Sequence, residues 1–329
     1  MPDAQYPTDR HPVLVDISRD GFVESHQRGS LVLLAPDGAA RVAAGDVTSA
    51  ILARSALKPL QALAMVEAGF PGRGRPLALA AASHDGEQQH IDGVRAILDR
   101  AGLDESGLLC PPRLPAGPDA LVAWIRSGGA ASAVCNECSG KHAAMLATCL
   151  AAGWPGEEYT DPAHPLQRAI RDRIETLTGQ AVTRHAIDGC GTPAFAVSLS
   201  GLARAFAKLA AASTGAGYDV ARSMRGHPEL VSGTGRAGAE LTREVPGLVC
   251  KSGAEGVWGA ALADGRAFAA KLDDGADRGQ PALLAAVLRH WGFDGAAVRR
   301  WSNVPIFGGD RSVGAVTASA QLHALLDPR

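Results

Sequence analysis

The chain predicts an α+β fold: an antiparallel sheet built from N- and C-terminal strands flanked by helices, with a helical block inserted over about 50–230. Two observations carry this. In GSLVLLAPDGAARVAAGD, two β-like runs stand on either side of a turn signal at Pro36-Asp37-Gly38, and the plan repeats far downstream in EGVWGAALADGRAFAAKLDDG around Asp264-Gly265. Between these hairpins, segments 54–69, 87–101, 141–152, 164–178 and 197–212 carry apolar residues at three- and four-residue spacing. Strands at both ends with helices between them argue against alternating βαβ units.

The elements follow in order. Residues 1–12 are expected as a disordered tail, and 13–329 as one domain. After the first hairpin comes RSALKPLQALAMVEAG, in which Leu60, Leu63, Ala64 and Met65 form an apolar stripe and Gly69 is a stop. Pro59 cannot supply a helical N–H, so either the helix begins near Ser55 or it kinks at the proline. Either way Ser55 sits near a helix N-terminus, with Lys58 on the same face. In LALAAASHDGEQQH an apolar, strand-like run ends at Ser83, and the next helix starts with Asp85 and Gln88 in the pattern of a capping box. AAASTGAGYDVARS reads as a loop between helices. In GLVCKSGAEG, Lys251 follows a short apolar run and precedes a Ser-Gly turn that feeds the second hairpin. A lysine beside an edge strand there can reach a serine on the helical block.

Composition narrows the partners. The chain has 329 residues, 46% of them hydrophobic, and a formal net charge of −2 without a run of Lys or Arg. It therefore lacks the electrostatic footprint of a nucleic-acid or anionic-membrane binder, and a small-molecule partner is expected. MPDAQYPTDRHPVLVD has no leader pattern and no segment reaches a spanning length, so a cytoplasmic location is expected. Six cysteines are too few for a disulfide scaffold in so long a chain and read as core thiols, ligands or nucleophiles.

Chemistry concentrates in four segments. A serine needs a base to become a nucleophile, and an amine serves only when burial or a second cation lowers its pKa. Ser55 and Lys58 have the Ser-x-x-Lys spacing; the plain alternative is a helix cap and a solvated lysine. Ser83 sits where an element ends and a helix starts, as a displayed side chain or a turn serine, and His84 beside it is a general base or a solvent-facing histidine. Lys251 is a second amine or an exposed turn lysine; Lys271, in KLDDG, is its rival, or a strand lysine pairing with Asp273 or Asp274. In AVCNECSGKHAAML, Cys135 and Cys138 form Cys-x-x-Cys followed by Lys141 and His142, and IDGCGTPAF holds Asp188 and Cys190 in a Gly-rich turn. Thiolates with a nitrogen donor suit zinc, although the lack of a second Cys-x-x-Cys argues against a ribbon or finger, and Lys141 could ligate only as a neutral amine. A redox Cys-x-x-Cys is the competing reading, without the strand-then-helix context it needs.

Taken together, VESHQRG, RSALKPLQA, ASHDGE, CSGKHAAML, HPLQ, DGCGTPAF and KSGAEG occur in the order seen in the Rhizobium-type, thermolabile L-asparaginases of the asparaginase II family, which the chain resembles over roughly 13–320. The resemblance implies a fold like that of serine β-lactamases, penicillin-binding proteins and glutaminases, and a homodimer. It implies an L-asparagine amidohydrolase releasing L-aspartate and ammonia through a β-aspartyl ester. Two pairs, Ser55 with Lys58 and Ser83 with Lys251, would share one cleft, with Ser55 as nucleophile, neutral Lys58 as its base and the second pair protonating ammonia. Cys138, Lys141 and Cys190 would bind zinc, which modulates affinity rather than performing the chemistry; Cys135 matches a family cysteine outside that set. Arg54, His142 and Asp188 would contact substrate, and no organic cofactor is implied. The alternatives are a glutaminase or other Ser-x-x-Lys amidase or β-lactamase-like hydrolase and, in a different class, a zinc-stabilised binding protein without turnover.

Overall fold

A computed structural model describes residues 11–327. Its strands are β1 (Val13–Arg19), β2 (Phe22–Leu34), β3 (Ala40–Ala44), β4 (Ala50–Leu52), β5 (His185–Ile187), β6 (Pro193–Ser198), β7 (Val249–Gly253), β8 (Val257–Ala261), β9 (Ala267–Leu272), β10 (Asn303–Gly308) and β11 (Arg311–Ala318). The main sheet has the order β10-β11-β1-β2-β9-β8-β7, with β3 also on β2, and its neighbours pair antiparallel. This is the α+β architecture expected, with strands from the two ends of the chain in one sheet.

Strand β2 joins the two ends. Its first part pairs with β1, while Gly29 to Leu34 pair with Leu272 to Ala267 of β9. A side chain at Gly29 would place its Cβ 2.2 Å from the Lys271 carbonyl oxygen, so the crossing of the two registers requires glycine there. Alternation then divides the core. Leu31 and Leu33 join Phe268 and Ala270 on one face, whereas Val32 and Leu34 join Ala267 and Ala269 on the other. Both faces are covered by helices, so the strands read as continuous apolar runs.

The helices are α1 (Lys58–Glu67), α2 (Arg75–Ala80), α3 (Gln88–Arg100), α4 (Pro118–Arg126), α5 (Ser139–Ala152), α6 (Pro165–Thr178), α7 (Leu199–Ala211), α8 (Gly215–Gly226), α9 (Pro228–Val231), α10 (Ala237–Glu244) and α11 (Gln280–His290), followed by two short helices at 296–302 and 320–326. The five segments expected as helices are helices. Pro59 is accommodated because a 3-10 turn, Arg54–Leu57, precedes α1 and leaves the proline in its first turn, where no helical N–H is needed.

Several local expectations are corrected. The run before Ser83 is helix α2, not a strand: it is Ala and Leu without a β-branched residue, and Pro76 starts it. The capping box of α3 is Glu87 with His90, not Asp85 with Gln88, because the Asp85 carboxylate is taken by Arg236. AAASTGAGYDVARS contains most of α8, and only 212–214 are loop. Ser252 and Gly253 belong to β7, so the turn after Lys251 begins at Ala254. The helical block also holds a three-stranded sheet, β4-β6-β5, that the helical periodicity around it concealed. Residues 1–10 of the expected tail lie outside the described residues; His11 is buried, with Nδ1 2.8 Å from Asp273 Oδ1.

Candidate active site

Ser55 is placed by the contact between the 3-10 turn and the edge strand β7. A Cβ on Gly253 would lie 2.7 Å from the Ala53 carbonyl oxygen and 2.9 Å from the Ala56 nitrogen, so only glycine lets the strand carrying Lys251 come this close. Arg54 adopts φ +51°, a left-handed conformation that turns the chain sharply into Ser55. Among the described residues, the Ser55 hydroxyl has no hydrogen-bond partner.

Lys58 is 1% exposed, and its amine donates to the Ala82 carbonyl (2.5 Å) and to Ser83 Oγ (2.9 Å). The lysine of the Ser-x-x-Lys segment is thus hydrogen-bonded to Ser83 rather than to Ser55. Ser83 is fixed from behind, where its N–H donates to the Val231 carbonyl. His84 is fully buried and not solvent-facing: its Nδ1 accepts from the Gly86 N–H, and its Nε2 lies 2.9 Å from Ser139 Oγ. With both ring nitrogens engaged, and burial followed by His90 and Lys58 holding its pKa well below the usual histidine range, it holds the backbone rather than moving protons.

Lys251 lies on β7, 3% exposed, and donates to the Ser252 carbonyl at 2.7 Å. Burial, reinforced by the nearby Lys58, pushes its amine down to about 7. Lys271 is elsewhere: it donates to the carbonyls of Glu255 (2.6 Å) and Leu272 (3.0 Å), not to Asp273 or Asp274. Ser55, Ser83 and Lys251 line a single cleft of about 540 Å³, together with Asp85, Glu137 and Arg236.

The thiol centre adjoins this group. Cys138 precedes α5, which carries Lys141 and His142 in its first turn, and Cys190 arrives on the turn after β5. Lys141 Nζ lies 3.1 Å from Cys190 Sγ and 2.7 Å from Thr192 Oγ1. A hydrogen bond from Cys138 holds the Cys190 sulfur far below the ordinary thiol range against the effect of burial, with the charge of Lys141 assisting, and the same bond raises Cys138. Asp188 faces Arg54, whose Nε and Nη2 are 2.9 and 2.7 Å from its Oδ1. Arg54, His142 and Asp188 do not line the large cleft, although Arg54 is the neighbour of Ser55.

Whether these donors suit a metal depends on His142. The Leu109 N–H donates to Tyr159 Oη, which lies 2.7 Å from His142 Nδ1 and so occupies that ring nitrogen. Nε2 is buried and has no hydrogen-bond partner. Among the described residues no three His, Cys, Asp or Glu side chains are arranged to hold a metal. What remains is two sulfurs and the Lys141 amine: burial works against its charge, but the Cys190 and Cys138 sulfurs outweigh burial and raise its pKa, so the amine would have to give up a favoured proton to ligate zinc.

The sequence pattern of the family described as L-asparaginase II matches residues 15–318. The chain belongs to the L-asparaginase II family. An L-asparaginase II family protein is an amidohydrolase with a small-molecule substrate. No curated protein matches the chain. Among solved structures it is similar to Mglu (16% identity, TM-score 0.45, covering 81% of this chain and 67% of that one). It is also similar to a β-lactamase from Mycobacterium bovis (16%, 0.42, 80% and 95%) and to a probable glutaminase from Bacillus subtilis complexed with 6-diazo-5-oxo-L-norleucine (15%, 0.38, 80% and 84%). These likenesses carry no statement about residues or substrates. No helix among the described residues is long and apolar enough to cross a membrane.

Sequence reading overlooked three residues of this L-asparaginase II family centre: Tyr159, Thr192 and Cys110. Cys110 is pushed up to about 12 by burial, and the neighbouring Cys190 adds to the shift. Tyr159 and Cys110 come from loops remote in sequence and carry no local motif. Thr192, two residues after Cys190, was within reach of a reading that asked what surrounds a buried lysine. Cys135 is buried and pushed up to about 11, a core thiol.

Proposed function

We propose that the protein hydrolyses L-asparagine to L-aspartate and ammonia, with Ser55 as the nucleophile. The observation that carries this reading is the convergence of Ser55, Ser83 and Lys251 on one cleft, with the buried Lys58 amine bonded to Ser83. Ser55 Oγ attacks the side-chain amide carbon as its proton passes to Lys58. Backbone N–H groups of the 3-10 turn stabilise the oxyanion. Lys58 hands the proton through Ser83 to the departing nitrogen; Lys251, close to half-neutral near pH 7, takes a proton from the attacking water and returns it to Ser55 as the ester opens. Water then cleaves the β-aspartyl ester.

Arg54, Asp188 and His142 would meet the charged groups of the aspartyl part. Cys138, Lys141 and Cys190 would hold zinc, which when bound supplies a positive anchor for the substrate and so acts on affinity. Homodimerisation and a cytoplasmic location accompany this proposal through the family; light scattering on the purified protein tests the first.

The test is ammonia release from L-asparagine and L-glutamine by wild type and Ser55→Ala, each checked by circular dichroism. Loss of asparagine turnover in folded Ser55→Ala supports the assignment. A fully active Ser55→Ala, or a wild type inert on both amides, overturns it.

A further inference from the structure

Residues 83–87, which lead from Ser83 to the start of α3, are laced between two other parts of the chain. On one side the His84 N–H donates to the Glu137 carbonyl at 3.1 Å, and the His84 ring meets Ser139 of α5. On the other side, alternate residues bond to the loop between α9 and α10. The Ser83 N–H donates to the Val231 carbonyl at 2.9 Å, Asp85 accepts from Arg236, and Glu87 accepts from the N–H and hydroxyl of Thr234 at 2.7 and 2.9 Å. Val231, Ser232 and Arg236 also line the cleft, so one loop both walls the cleft and holds the backbone of Ser83.

Asp85 sits at the centre of this lacing. Its two carboxylate oxygens accept from Arg236 Nε at 2.6 Å and Nη2 at 2.8 Å, a forked contact that fixes direction as well as distance. Its carbonyl accepts the Gly117 N–H at 2.9 Å, which ties in the segment before α4. The side chain occupies a slot that two glycines leave open: a Cβ on Gly233 would lie 2.2 Å from Asp85 Oδ2, and one on Gly117 would lie 2.8 Å from Asp85 Cβ. Although charged, the Asp85 side chain is only 13% exposed. Among the described residues, neither Asp85 nor Arg236 bonds to Ser55 or Lys58, so any effect of the pair on the chemistry passes through Ser83.

We propose that Asp85 and Arg236 are positioning residues: their ion pair aims Ser83 for delivery of the proton to the departing nitrogen and acts on that step alone. This rests on the reading of Ser83 as the relay from Lys58. A relay hydroxyl must reach its donor and the leaving atom at once. Lys58 holds the Ser83 hydroxyl from the α1 side at 2.9 Å, and the pull of the α9–α10 loop on residues 83–87 sets where that hydroxyl stands in the cleft. Releasing the Asp85–Arg236 contact leaves Ser55 and Lys58 in place and lets Ser83 shift. Cleavage of an amide then slows because its nitrogen cannot leave without a proton. Cleavage of an ester whose leaving group departs as a stable anion does not.

The experiment compares L-asparagine with the 4-nitrophenyl β-ester of L-aspartate in wild type, Arg236→Gln, Asp85→Asn and the double variant, each checked by circular dichroism. Arg236 is exposed, so Arg236→Gln carries the test even where Asp85→Asn does not fold. Arg236→Gln is expected to lower kcat/KM for asparagine about 10- to 100-fold through kcat, with KM little changed, as for a displaced catalytic group. On the ester kcat/KM should stay close to wild type, and the double variant should be no worse on asparagine than either single one. Equal losses on both substrates would show a general loosening of the site and overturn the proposal. So would wild-type kinetics on asparagine, or a loss confined to KM, which would mean that Arg236 meets the substrate itself. These outcomes leave the asparaginase reading intact, since Ser55→Ala alone must abolish both reactions. Where wild type cleaves asparagine but not the ester, the split between kcat and KM on asparagine decides. A wild type inert on asparagine overturns both readings.

Discussion

Lys58 Nζ lies 2.9 Å from Ser83 Oγ, so the amine three residues after the proposed nucleophile is bound to the second serine of the cleft. If one amine serves both serines, their effects are coupled. Lys58→Met is expected to lower kcat by about 10²–10⁴, and the Lys58→Met/Ser83→Ala double variant should be scarcely worse than Lys58→Met alone. Ammonia-release kinetics decide this. Additive losses would mean that the two side chains act separately.

Lys251 gives the pH dependence. Its amine is held at about 7 in the fold, against about 10.4 when free. The neutral fraction grows as pH rises through 7, so kcat should show an acid limb near that value. Between about pH 7 and 10 the unfolded chain binds a proton that the folded one does not, so this residue makes stability rise with pH across that window and adds no slope below it. Lys251→Met should flatten the rise in urea midpoint from pH 7 to 10; an unchanged slope would contradict the buried neutral amine.

Gly253 tests the approach of β7 to the nucleophile. In Gly253→Ala the added carbon meets the Ala53 carbonyl at 2.7 Å, and neither backbone can yield without moving Ser55. Overpacking of this kind costs about 1–3 kcal/mol, and a displacement near 1 Å can cost ~10²-fold in rate. The expected outcome is a lowered melting temperature with a larger loss in kcat than in KM. A variant with wild-type kinetics would remove the strand from the account of the site.

Cys190→Ser tests the thiol centre. It removes the sulfur on which Cys138 and Lys141 converge, so elemental analysis should show loss of zinc, and KM should rise by more than kcat falls. Equal metal content in wild type and variant would exclude Cys190 as a ligand.

Asp188→Asn keeps shape and removes the charge facing Arg54 across 2.7 Å. We expect KM for asparagine to rise about tenfold or more while the circular dichroism spectrum is retained. An unchanged KM would place substrate recognition elsewhere.

Local patterns in the sequence identified much of the fold. The spacing of Leu60, Leu63 and Ala64 is that of a helix face, and Asp264-Gly265 is a hairpin turn in any context, so these elements follow from neighbouring residues alone. The run before Ser83 is ambiguous in sequence because a short apolar stretch has the same look in a buried strand and in a helix. Its Ala-Leu composition, not its hydrophobicity, was the informative signal.

What the sequence by itself determined is the set of chemical groups: two serines, two lysines, a pair of cysteines beside a lysine, and the family order in which they occur. What only the tertiary structure decided is which group meets which. Lys58 shares a helical face with Ser55, yet its long side chain ends at Ser83, because burial leaves its amine no water and the Ala82 carbonyl and Ser83 hydroxyl supply the acceptors. Likewise, Tyr159 occupies one ring nitrogen of His142, and Lys251 is held near neutrality by burial and a second lysine. Hydrogen-bond partners and desolvation depend on atoms brought together from distant parts of the chain, and no spacing rule contains them.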